Sequence, residues 1–168
     1  MSFSMYQAAV PPVLQILASV STILDKAAAH CAARKIDPAA LLTFRLSPDM
    51  FPLSRQVQIM TDQAKGMAAR LAGVEVPSYA DTEATFDDLK ARVAKVTAYV
   101  KGFTPAQIDG SEDKPIVIKA GGNELKFTGR QYLTGFVFPN FYFHATTTYN
   151  ILRHCGVELG KRDFLGAI

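Results

Sequence analysis

The chain has 168 residues, 49% of them hydrophobic, with 18 basic side chains against 15 acidic ones. That is enough for one well-buried core and short for two, so a single domain over 1–168 is expected. The net charge of +3 comes from scattered lysines and arginines rather than a basic stripe, which argues against a nucleic-acid partner. The start, MSFSMYQAAVPPVLQ, lacks a basic leader segment. The longest apolar stretches read as amphipathic and too short for a bilayer, so the expectation is a soluble cytoplasmic protein with no membrane partner.

The first predicted element is a helix over 4–34, with Val13, Leu17, Val20, Leu24, Ala27 and Cys31 on one face. Pro11 and Pro12 predict a kink or a late start. Residues 35–52 form a connector with one short helix over 39–44. A second helix starts near Phe51, with Pro52 in its first turn, and stops at Gly73. Its stripe is Leu53, Val57, Met60, Ala64, Met67 and Leu71.

After a loop over 74–80, a third helix opens at Asp81 or Thr82. Phe86, Leu89, Val93, Val96, Val100 and Phe103 form its stripe, and Asp88 with Arg92 makes an i,i+4 pair on a solvated outer face. The short loop predicts that helices two and three are antiparallel neighbours. Pro115-Ile-Val-Ile-Lys119 and Glu124-Leu-Lys-Phe127 then flank a Gly121-Gly122-Asn123 turn, which reads as a small β-hairpin packed on the helices. A fourth helix runs from the Thr128 N-cap to Cys155, with Gly156 ending it and Pro139 bending or breaking it near Gly135. A tail over 157–168 follows. Four such helices pack naturally as an all-α four-helix bundle.

The fourth stripe reads Leu133, Val137, Phe141, His144, Thr148, Ile151, Cys155, so its middle is polar. A core-facing imidazole needs partners for its ring nitrogens. Asn140 and Thr148 share its face, and Thr147 and Tyr149 lie within two turns. This polar strip is the candidate pocket, with His144 as its central group and its acid/base candidate. His154 lies ten residues further on, about 280° around and about 15 Å along a helix, so it cannot share an ion with His144. His30 is the other histidine that could approach His144. Cys31 and Cys155 fall on apolar faces and read as reduced core thiols.

The stretches RLSPDMFPLSRQVQ, GVEVPSYADTEATFDDL and FTGRQYLTGFVFPNFYFHATTTYNILRHCGVELGKRDFLG resemble an uncharacterised bacterial family. That family carries a domain-of-unknown-function label and belongs with the DinB/YfiT-like four-helix bundles. The resemblance implies a bundle with a long crossover and a homodimer packed through bundle helices. Metal-bearing members of the superfamily present a histidine on helix two and an HxxxH pair opening helix four. His144 matches the second histidine of that pair, while Asn140 stands at the first. Helix two offers Gln56 and Gln58 in place of a histidine. Carboxamides are weak ligands for zinc or nickel, so the expected site is a degenerate metal centre that binds a small organic ligand without a cofactor. Gln56, Gln58, Asn140, Thr148 and Tyr149 are its expected ligand contacts. The alternatives are a metal-dependent enzyme of hydrolase or thiol-transferase type using His144 and His30, and a non-catalytic structural or interaction protein.

Overall fold

The computed structural model describes residues 3–166; the last two residues of the predicted tail and the first two of the chain lie outside that range. Helix α1 spans Met5–Arg34. The Ser4 hydroxyl accepts from the Gln7 amide and the Gln7 side chain accepts from the Ser4 amide, a reciprocal cap that fixes the first turn. The helix runs on through Pro11 and Pro12, so the start is not delayed. Contrary to the expectation from amphipathic stretches, α1 is long and apolar enough by length and composition to cross a membrane. Its face from Met5 through Val13, Val20 and Leu24 to Cys31 is buried against the other helices, which is how a central helix of a bundle reads.

Helix α2 is the single turn Pro38–Leu42, N-capped by Asp37. Helix α3 is Leu53–Ala72, with Pro52 just outside it rather than within its first turn, and Gly73 at φ 78° closing it. Helix α4, Phe86–Lys101, begins several residues later than predicted. Thr85 and Asp88 form its capping box, and Asp81 and Glu83 are drawn instead into ion pairs with arginines. After the short α5, Pro105–Ile108, strands β1 (Pro115–Ala120) and β2 (Asn123–Thr128) pair antiparallel from Pro115↔Thr128 to Ala120↔Asn123. Gly121 and Gly122 both have positive φ, the conformation a two-residue hairpin turn requires.

The predicted fourth helix is three pieces. The turn α6, Gly129–Gln131, is capped by Thr128. A π-helical segment, Tyr132–Val137, follows. Helix α7 then runs Phe138–His154. Pro139 has no amide to donate to Gly135, so the chain inserts a wider turn before it instead of breaking. Pro139→Ala is expected to change amide chemical shifts across 132–139 while moving global stability by less than about 1 kcal/mol; a large loss of folding would contradict this reading. The tail carries a further turn, α8, Lys161–Leu165, packed on α1.

Around the bundle the helices neighbour one another in the order α1, α4, α3, α7. Gln56 near the start of α3 meets His144, and Arg70 near its end meets Tyr132, so α3 and α7 are antiparallel. Gln58 meets Glu83 just before α4, and Asp62 meets Arg92 within it. Helices α3 and α4 are therefore parallel, not antiparallel as the loop length suggested. Asp25 pairs with Lys90, and the Tyr6 amide donates to Asp109 beyond α4, which sets α1 antiparallel to α4. The order is up, down, down, up. Residues 74–85 are the long crossover, returning past an α3 about 30 Å long; an extended chain of that length spans about 40 Å. All residues of the first three predicted stripes are buried, and His144 lies among the buried residues of the fourth. Cys155 is half-buried.

Candidate functional site

The first turns of α3 and the middle of α7 face each other where Gln56 meets His144. The Gln56 Nε2 group donates to the Phe51 carbonyl at 2.9 Å. That fixes the amide so that its Oε1 faces the imidazole, 2.7 Å from His144 Nδ1. An amide oxygen only accepts, so Nδ1 carries the proton and Nε2 keeps its lone pair. Among the described residues Nε2 has no hydrogen-bond partner, and it is not among the enclosed polar atoms that lack one. It is therefore not fully enclosed, and His144 as a whole keeps 8% exposure. Phe143 stands edge-on to the ring at 5.3 Å. Phe143 and Phe51 are respectively 55% and 54% exposed, so apolar surface adjoins the residues that hold this pair.

Burial pushes His144 below its ordinary value near 6.5, and the Arg55 charge pushes it the same way. A histidine held neutral by the fold contributes stability above the unfolded-chain value. That contribution falls away as pH drops below about 6.5 toward the depressed folded value. Chemical denaturation between pH 7.5 and 5 is expected to show this loss, and His144→Gln to flatten it. An unchanged slope in the variant would count against a buried neutral imidazole.

The other predicted contacts go elsewhere. Asn140 Nδ2 donates to the Phe136 carbonyl at 2.6 Å, and the Thr147 and Thr148 hydroxyls donate to the carbonyls of Phe143 and His144. Thr148 thus touches the His144 backbone, not its ring. Tyr149 stacks edge-on with Phe164 of α8, on the α1 side. Gln58 accepts from Arg55 and donates to Glu83. The ring of His30 lies beside Gly156, past the end of α7. His144 is twelve residues before that point, about 18 Å along the helix, so the two imidazoles are not brought together.

What sequence reasoning missed is the polar cluster around Arg92. This side chain is 2% exposed. Its Nε donates to Thr61 Oγ1 at 2.8 Å, and its terminal nitrogens reach the Ala80 carbonyl, Asp62, Asp81 and Glu83 at 2.9–3.0 Å. The expected pair with Asp88 does not form, because the Asp88 carboxylate caps α4, and Arg92 is not on a solvated face. Burial alone raises Glu83, but the hydrogen bond from Arg92 and those from its backbone and Gln58 overcome this and hold it below the ordinary carboxylate value. Arg55 pairs with Asp81, joining this cluster to the neighbourhood of His144. A signal was present: Arg92 falls about 60° from Leu89 around α4, within the apolar sector.

The donor set does not fit the divalent metal that the superfamily implies. His144 offers one free imidazole nitrogen, its nearest neighbour is a carboxamide already bound on both ends, and Asn140 is committed to its own helix. Among the described residues no group of three His, Cys, Asp or Glu side chains is arranged to hold a metal ion, the Asp62, Asp81 and Glu83 carboxylates being gathered on Arg92, whereas such a metal takes three or four protein ligands.

A crystal structure of a DinB family member protein from Shewanella denitrificans superposes on this chain with a TM-score of 0.87 and 40% sequence identity, covering 97% of this chain and 92% of that one. No curated protein matches the chain. The family DUF1993, a domain of unknown function, matches residues 5–165. With the up-down-down-up bundle and the His144 site in place, the chain belongs to the DUF1993 family and carries a DinB-like fold.

Proposed function

We propose that this protein is a small-molecule-binding DinB-like bundle whose ligand engages His144 Nε2. The observation that carries this reading is the Phe51–Gln56–His144 relay. It uses two hydrogen bonds to hold one imidazole in one tautomer, leaving the Nε2 lone pair without a partner among the described residues. A neutral acceptor beside apolar surface complements a ligand with a hydroxyl or thiol donor on an apolar body. Where chemistry follows binding, Nε2 is the group that takes the donor's proton, since a neutral imidazole is available as a base at neutral pH.

The test is a thermal-shift titration with phenol and benzyl mercaptan, in the wild type and in His144→Ala. The reading expects a saturable rise in Tm that is lost in the variant; a ligand at about 100 times its dissociation constant adds about 2.7 kcal/mol. No rise with either probe, or an equal rise in the variant, would remove the pocket and favour a purely structural or interaction role. Metal analysis of the same preparations separates the metalloenzyme alternative: stoichiometric zinc or nickel in the wild type, lost in His144→Ala, would favour it.

A further inference from the structure

A cavity of about 440 Å³ lies on the half of α3 away from Gln56, between the crossover, the hairpin and the π-helical segment. Its charged lining is mainly cationic: Lys65, Arg70 and Lys119, against the single carboxylate Asp62. That carboxylate is already shared between Lys65 and Arg92. Arg70 and Lys119 form no ion pair among the described residues.

Arg70 is nonetheless held in place. Its Nη1 donates to the Tyr132 hydroxyl at 2.9 Å, and the guanidinium lies across Gly66, where a Cβ would come within 2.4 Å of it. A positioned guanidinium that has only a neutral phenol as partner keeps most of its donors for a planar oxyanion. Phe136 supplies a flat apolar wall, and Tyr79 lines the cavity beside Lys65. Tyr79 is itself fixed by the ammonium groups of Lys65 and Lys95, 4.3 and 3.9 Å from its ring centre. The volume falls in the range of small-metabolite sites.

We propose that this cavity binds a small organic anion: a carboxylate or phosphate carried on a flat ring, with Arg70 gripping the oxyanion, Lys119 adding a second charge and the ring lying against Phe136. This site is separate from His144 and recognises the opposite kind of ligand, an acceptor rather than a donor.

The experiment is a titration of isotope-labelled full-length protein with benzoate, phenyl phosphate and inorganic phosphate, followed by amide chemical shifts. Saturable shifts around Gly66, Arg70, Lys119 and Phe136 are expected with both aromatic anions, weakening as salt rises. Arg70→Gln is expected to weaken binding about tenfold or more. Lys119→Glu, an exposed change that leaves the core untouched, is expected to do the same should Arg70→Gln disturb folding. His144→Ala is expected to leave these affinities unchanged, so this site and the His144 site fail or stand separately. The proposal is overturned by the absence of saturable shifts in this region, by unchanged affinity in folded Arg70→Gln or Lys119→Glu, or by inorganic phosphate binding as well as phenyl phosphate.

Discussion

Replacing Arg92 with alanine is expected to destabilise the protein by about 3 kcal/mol or more, because removing one partner of a buried ionic cluster leaves the others desolvated and unpaired. For a chain of this length that is a fall in Tm of about 10 °C. The guanidinium links α4 to Thr61 and Asp62 of α3, and to Ala80, Asp81 and Glu83 of the crossover. Its loss therefore unpins the one connection that lets two consecutive bundle helices run parallel. Asp88→Ala is the informative comparison. It removes the exposed half of the α4 capping box and nothing buried. Were Arg92 only the surface partner of Asp88, the two substitutions would cost similar small amounts, and that result would contradict the structure. The Arg92 effect also has a pH signature. Glu83 is held below its ordinary value of 4.5, so the stability from this pair is present above that value and is lost as pH falls through the lower folded one. The gap between wild type and Arg92→Ala is expected to narrow in acid.

Gly129→Ala carries the second large effect. A Cβ at this buried position would come within 1.9 Å of the Ser111 carbonyl oxygen. The obstruction is backbone, and the neighbouring Arg130 amide is bonded to the Glu112 carbonyl at 2.9 Å, so neither side can retreat without breaking that contact. About 3 kcal/mol is expected, the upper part of the usual range for overpacking. Gly135→Ala, six residues further along in the π-helical segment, meets nothing within 4 Å and does not sit at positive φ. It is expected to be neutral or stabilising by up to about 1 kcal/mol. Equal costs at the two glycines, measured by urea denaturation, would contradict the close approach of residue 111 to the start of the last helical segment.

Much of the architecture was legible because it rests on periodicity and caps. The four apolar stripes, the Gly73 stop, the Thr128 cap and the glycine turn of the hairpin are local signals, and the folded chain uses each of them. The direction of α4 was not legible, because period 3.6 says which face is buried and nothing about which way a helix points. A crossover and a simple hairpin loop can have the same composition. Arg92 was misread for a related reason: Asp88 at i−4 offered a plausible local partner, while its actual partners are distant in sequence. At the site, helix spacing and family resemblance put His144 and Gln56 forward, and they meet. Spacing also put forward Asn140 and Thr148, yet both are occupied by their own helix carbonyls, a choice that short polar side chains make locally.

Gln56 holds His144 as a neutral imidazole with Nε2 free, a state that nitrogen-15 NMR of the histidine side chains reads at neutral pH. His144 is expected to show a protonated Nδ1 and an unprotonated Nε2, with that preference lost in Gln56→Leu. A proton on Nε2 with Nδ1 bare, or a doubly protonated ring, would rule this tautomer out.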